Sequence, residues 1–226
     1  MPESVQDTVR THLDHGRACL DKRKYDDAIA DYTKAIALDP NVATAYTHRG
    51  LAYGRKGEVD RAIADYDKAI ALNSYDATAY YNRGLAYARK GAFDRAIADF
   101  DEAITLNPND AKAYTNRGLT YGDKGKYDDA IADYDKAIAL APNVATAYTN
   151  RGVAYGGKGG YDRAIADFDE AIKLNPNDAN AYNNRGLAYK KKGDKEQAIA
   201  DYRKALEIEP SDQDAKEGLK RLGVTH

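Results

Sequence analysis

Tryptophan is absent from the 226 residues, cysteine and methionine occur once each, and phenylalanine three times. With Cys19 alone, no internal disulfide can form and the redox compartment stays open. No uncharged apolar run reaches the ~18 residues a membrane span needs, so no insertion is expected. The amino terminus, MPESVQDTVRTHLDHG, lacks a basic segment followed by an apolar one. No secretory signal is therefore visible and the chain reads as cytoplasmic, although a processed chain would look the same. Charge of one sign is also missing: 34 basic residues face 36 acidic ones. Without a basic excess to follow a phosphate backbone, nucleic acid is a poor partner.

What the chain has instead is repetition. The triplet Asn-Arg-Gly recurs from residues 82, 116, 150 and 184, always 34 residues apart. Sliding the sequence by that period aligns AYTHRGLAYGRKGEVDRAIADYDKAIALN with four further copies and a looser first one, THLDHGRACLDKRKYDDAIADYTKAIALD. The copies run 9–42, 43–76, 77–110, 111–144, 145–178 and 179–212, after a lead-in of 1–8 and before a tail of 213–226. Within the 77–110 copy, Tyr80, Gly84 and Tyr87 fall at i, i+4 and i+7, one face of a helix. Gly91 suits the left-handed end of that helix. Asp94 then opens a second helix whose Ala96, Ile97, Phe100, Ala103 and Ile104 again share a face, and Pro108 stops it. Neither helix can bury its stripe alone, so the hairpins are expected to stack into one continuous all-α rod.

The places of Tyr80, Arg83-Gly84, Tyr87, Ala96, Phe100 and Pro108 resemble the tetratricopeptide repeat. Tyr stands where that pattern has Trp, and Arg where it has Leu before the Gly. By its period the match covers about nine-tenths of the chain. The resemblance implies a right-handed α-solenoid, a superhelix of six antiparallel helix hairpins, with no enzymatic activity. The first copy, with His12, Cys19 and Arg23 where its neighbours have Tyr, Tyr and Gly, reads as an end cap. At the other end, Ser211 and Asp214 offer an N-cap pair for a last helix with Ala215, Leu219 and Leu222 on its apolar side.

No catalytic constellation emerges. His12 and His15 lie at i, i+3, but no Cys or further His supports a metal in the sequence, and no cofactor is expected. Acid pairs such as Asp128 and Asp129 open helices, where the dipole favours them. Ten of the 19 tyrosines share two helical places, 46, 80, 114, 148, 182 and 53, 87, 121, 155, 189, and are expected to pack the core. Tyr81 stands one residue beyond, where other copies have Thr47, Thr115, Thr149 and Asn183, at the border of a ligand surface.

The asparagines are different. Asn82 lies about 160° from both Tyr80 and Gly84 around its helix, away from the packed side. The resemblance implies that the first helices of successive repeats line a concave groove. Asn82, Asn116, Asn150 and Asn184 would then form a row along it, with His48 in the same place one repeat earlier. An amide offers a donor and an acceptor together, matching an extended peptide backbone. Leu85, Leu119, Val153 and Leu187 would supply an apolar floor. The groove-facing charges Arg55, Arg89, Lys112, Lys190 and Lys191 against Asp123 give a mild preference for an acidic segment. Arg49, Arg83, Arg117, Arg151 and Arg185, at the edge of the packed side, are expected to pair with helix acids.

Among known grooves, the carboxylate clamp of chaperone adaptors requires Asn at the place that Leu85 and Leu119 occupy, and only Lys112 and the asparagine row fit it. The row is more similar to the ladder by which the repeat superhelix of the O-linked N-acetylglucosamine transferase and cargo-binding kinesin light chains hold peptides. The reading is thus a scaffold for a protein or peptide ligand, monomeric or a weak homodimer. Its alternative is a repeat protein that self-associates end to end or as a dimer.

Overall fold

A computed structural model describes residues 4–224, which form helices joined by short turns with no strand among them. They divide into two compact units, the first ending at Asn109 and the second beginning at Asp110. The first unit holds α1 (Val5–Asp21), α2 (Tyr25–Leu38), α3 (Ala43–Lys56), α4 (Val59–Leu72), α5 (Ala77–Arg89) and α6 (Phe93–Leu106). The second holds α7 (Ala111–Asp123), α8 (Tyr127–Leu140), α9 (Ala145–Gly157), α10 (Tyr161–Leu174), α11 (Ala179–Lys192), α12 (Lys195–Ile208) and α13 (Gln213–Arg221). In each unit successive helices pair as hairpins, and each hairpin packs on the next.

Local sequence sets the helix ends. The carboxylates of Asp76, Asp110 and Asp178 accept N–H bonds from the first turns of α5, α7 and α11. After α5 the chain turns through Gly91 at φ 72°. There the Gly91 N–H donates to the carbonyl of Ala88 and the Ala92 N–H to that of Tyr87, both at 2.9 Å. This pair of bonds satisfies carbonyls that the helix end would otherwise leave open, and the left-handed residue it needs is easiest for glycine. Gly57, Gly125, Gly159 and Gly193 repeat the turn, whereas the first hairpin makes it with Arg23 at φ 58°.

The core lies between the two helices of each hairpin. Tyr32, Tyr66, Phe100, Tyr134, Phe168 and Tyr202, all from second helices, are buried. Each lies against a glycine sixteen residues earlier: a Cβ on Gly84 would come within 2.9 Å of Phe100, and one on Gly152 within 2.7 Å of Phe168. The missing side chain is what lets the ring in. Of the ten first-helix tyrosines expected in the core, only Tyr46 and Tyr53 are buried and the other eight are half-buried. An arginine packs on these rings: Arg83, for example, places its guanidinium 5.6 Å from the Tyr80 ring centroid, as Arg49 does from the buried Tyr46.

The last helix is capped differently from the sequence expectation. Asp212, and not Ser211 with Asp214, accepts from the Ala215 N–H at 3.0 Å. Asp212 falls 34 residues after Asp178, the repeat's own capping place, while the Ser211 hydroxyl donates to Glu209. Ala215 and Leu219 of α13 are buried against Tyr202 and Ala205, with Leu222 packed beside them.

Candidate functional site

The five arginines are placed by the hairpin register. Arg49, Arg83, Arg117, Arg151 and Arg185 each face an aspartate sixteen residues later, Asp65, Asp99, Asp133, Asp167 or Asp201. All five pairs are bidentate, Nε to Oδ2 and Nη2 to Oδ1, at 2.6 to 2.9 Å. The third nitrogen of Arg83, Arg151 and Arg185 reaches back to Asp67, Asp135 and Asp169 of the preceding hairpin. The hydrogen bond each donates to its buried aspartate, more than burial works against it, holds these three guanidiniums above their ordinary pKa. This row stitches hairpins together and serves the scaffold.

The asparagine places stand on the other side of the first helices. In the second unit Asn116, Asn150 and Asn184 are half-buried on α7, α9 and α11, which neighbour one another in that order. Leu119, Val153 and Leu187 follow at i+3 and so share their face. These three large apolar side chains are 41%, 49% and 46% exposed, so the fold does not use them as core. The Asn116 amide donates to the Lys112 carbonyl at 2.8 Å, and in the first unit Asn82 donates to Thr78 at 2.9 Å. Such a bond to the preceding turn fixes the side chain's rotamer. His48 holds its ring by the Thr44 carbonyl at 2.9 Å and stacks on Tyr32 with centroids 5.6 Å apart.

The neighbouring places divide. Thr115 and Thr149 donate to their own helix at Ala111 and Ala145. Asn183 is buried, its amide donating to the capping Asp212, just as Thr47 donates to Asp76 at 2.7 Å. This place therefore ties a hairpin to the next one's cap, a role the sequence reading did not foresee. Tyr81 is half-buried with its ring tilted against Phe100, centroids 6.0 Å apart.

In the first unit a cavity of about 180 Å³ is lined by Leu51, Gly54, Arg55, Tyr66, Asn82, Leu85 and Arg89. Arg89 also donates to the Gly54 carbonyl at 3.1 Å. No acid lines this cavity, so its field is positive. In the second unit Lys112 and Leu119 are exposed. There Asn184, Leu187 and Lys190 line a cavity of about 280 Å³ with Asp214, Glu217 and Arg221 of α13. Lys191, on the same turn of α11 as Lys190, is exposed. A larger hollow of about 410 Å³ lies elsewhere on that unit, among Asp128, Lys158, Tyr161, Asp162 and Arg163.

A family model described as tetratricopeptide repeat matches residues 111–144 and 179–212, a second of the same description matches 47–111, and one described as TPR repeat matches 16–57 and 157–193. The crystal structure of the MamA protein is 33% identical over 77% of this chain and 95% of that one, with a TM-score of 0.69. The chain belongs to the tetratricopeptide repeat family. It is also similar to YrrB, a TPR protein described as having an unusual peptide-binding site, at 28% identity and a TM-score of 0.71 over 84% of this chain and 97% of that one. PilF of Pseudomonas aeruginosa, 19% identical, shares the fold over 97% of this chain and its whole length, with a TM-score of 0.82. No curated protein matches. Among the described residues no helix of this tetratricopeptide repeat protein is long and apolar enough to cross a membrane.

The first repeat departs from the other five in one cluster. His15 stands in the arginine place and His12 and Cys19 in the two tyrosine places, while the aspartate is kept as Asp31. His12 Nδ1 lies 3.1 Å from Asp31 Oδ1, His15 Nδ1 bonds Oδ2, and Cys19 Sγ is 4.0 Å from His15 Nδ1. Burial pushes the Asp31 carboxyl up, but the bonds from His15 and His12 and the nearby positive charge outweigh it and hold the pKa below its ordinary value. The sequence left His12 and His15 without a Cys in support. Cys19 supplies one because it follows His15 by a helical turn.

Proposed function

We propose that the protein is a non-enzymatic scaffold that holds an extended segment of a partner protein, its asparagine rows meeting the segment's backbone. The observation that carries this reading is the register of half-buried amides with exposed apolar side chains: Asn116 with Leu119, Asn150 with Val153, Asn184 with Leu187. A fold that needed neither set has no reason to place both on one face of three neighbouring helices. The likeness to YrrB, with its peptide-binding site, agrees.

Magnitudes fix what each set does. Helices packed at about 8 to 10 Å give one asparagine per roughly three residues of extended chain. A net ~1 kcal/mol per hydrogen-bonded amide gives about 3 kcal/mol for the three of the second unit, weaker than millimolar binding unaided. The ladder therefore sets backbone register, and the ligand's side chains against Leu119, Val153 and Leu187 supply the rest of the affinity. In the first unit Asn82 and His48 play the same part, and Arg55 with Arg89 favour an acidic side chain there.

Peptides selected against the wild-type chain from a random displayed library provide the probe. Changing Asn82, Asn116, Asn150 and Asn184 together to Ala is expected to weaken their binding at least tenfold, by calorimetry. Thermal unfolding should stay the same or rise slightly, because alanine is the better helix former. Unchanged affinity discards the ladder. A mass that grows with concentration in light scattering, with no peptide selected, would favour self-association instead.

A further inference from the structure

We propose that the first repeat is a binding site for a divalent transition-metal ion of the zinc type, with His15, Cys19 and Asp31 as ligands and solvent in the fourth place. One imidazole, one thiol and one carboxylate oxygen, from His15, Cys19 and Asp31, all lie within 4.8 Å of one another. His12 Nδ1, 3.1 Å from the same carboxylate, orients it from the side. Around a tetrahedral ion with bonds of about 2.0 Å to nitrogen and about 2.3 Å to sulfur, donor atoms stand about 3.3 to 3.5 Å apart. The 4.0 Å between His15 and Cys19 needs only a slight contraction, and the direct His15–Asp31 bond opens by a turn of the exposed His15 ring. Two donors on one helix at i and i+4, with a third from the facing helix, make the chelate.

Charge argues the same way. In the other five repeats the buried aspartate meets a permanent guanidinium; here that cation is gone, and Asp31 keeps only two imidazoles and Lys34 Nζ at 3.9 Å. Lys34 is 62% exposed and can turn to solvent as the ion enters. A dication held by the carboxylate and a thiolate restores the positive charge the arginine provides elsewhere. Cys19 and Asp31 are buried while His15 opens to solvent, which gives the ion both a shielded seat and a way in. A thiolate with an imidazole selects Zn²⁺ or Co²⁺ over Mg²⁺ or Ca²⁺. On binding, the Cys19 S–H bond breaks, a sulfur–metal bond forms and the proton passes to buffer, while His15 coordinates through a nitrogen that carries no proton.

The test uses the full chain without an added histidine tag, titrated with Co²⁺ alone and then with Zn²⁺ in competition. A single equivalent of Co²⁺ is expected to saturate, with a thiolate-to-cobalt charge-transfer band and tetrahedral ligand-field bands that Zn²⁺ abolishes. Cys19→Ser should remove the charge-transfer band. His15→Arg restores the side chain of the other five repeats, so it should keep the hairpin folded while weakening binding at least a hundredfold. No saturable band in wild type, or binding that both variants leave unchanged, overturns the proposal.

Discussion

Arg151→Met is expected to lower the unfolding free energy by about 3 kcal/mol, the low end for a buried ion pair that loses one partner. Asp167 would remain 8% exposed with its carboxylate facing an apolar side chain. The stem of Met fills much of the space of the Arg stem, so the loss reports the charge and not a cavity. Removing both charges, Arg151→Met with Asp167→Leu, leaves nothing buried and unpaired and should return most of the stability. Urea unfolding of the three proteins checks this: a single variant within 0.5 kcal/mol of wild type (about a third of the shift one pKa unit represents) would show that the pair does not hold the hairpins. Because Arg151 also reaches Asp135 in the preceding hairpin, the loss should appear in hydrogen exchange of α8 as well as α10.

Phe168→Ala should cost about 3 to 5 kcal/mol, since the ring is 2% exposed and its site cannot close. Gly152→Ala is the mirror experiment. In wild type the new Cβ meets Phe168 Cε1 at 2.7 Å, and overpacking of this kind costs about 1 to 3 kcal/mol. In a Phe168→Leu background the clash is relieved, so the same substitution should cost much less. That coupling, read from a double-mutant cycle, separates close approach from the ordinary gain in helix propensity that Gly→Ala brings. Additive effects would mean that the glycine is not there to admit the ring.

Both expectations rest on a register the sequence carries but that is hard to see in it. The period of 34, the hairpins and the turns were legible because they depend on local spacing and on Gly and Pro. The arginines were legible as partners of helix acids, yet their aspartates were not singled out. The sign was present: each Arg-Gly is followed sixteen residues on by Asp-Tyr or Asp-Phe, so the salt bridge and the ring-on-glycine contact are adjacent steps of one antiparallel pairing. Helical periodicity marks which residues share a face and says nothing of which face meets which, so Phe100 was placed on the packed side of its helix without the glycine it meets.

The face that bears the asparagines was readable for the same reason the core was not: position around a single helix is fixed by counting. What counting could not give is that Asn183 beside Asn184 is buried against Asp212, because that contact joins residues 29 apart through a cap. The first repeat shows the limit most clearly. Three substitutions, His12, His15 and Cys19, look like independent drift at the end of an array, and only the facing Asp31 makes them one cluster.

The most direct measurement of the account is made on the side-chain amides themselves. In a chain labelled with ¹⁵N at asparagine, a library-selected peptide is titrated while the NH₂ signals are followed by NMR. The amide signals of Asn116, Asn150 and Asn184 are expected to shift in step with the binding isotherm, while Asn175 and Asn177 in the turn before α11 stay in place. Stationary signals at those three, with backbone shifts gathered instead around Lys158, Tyr161 and Arg163, would contradict it.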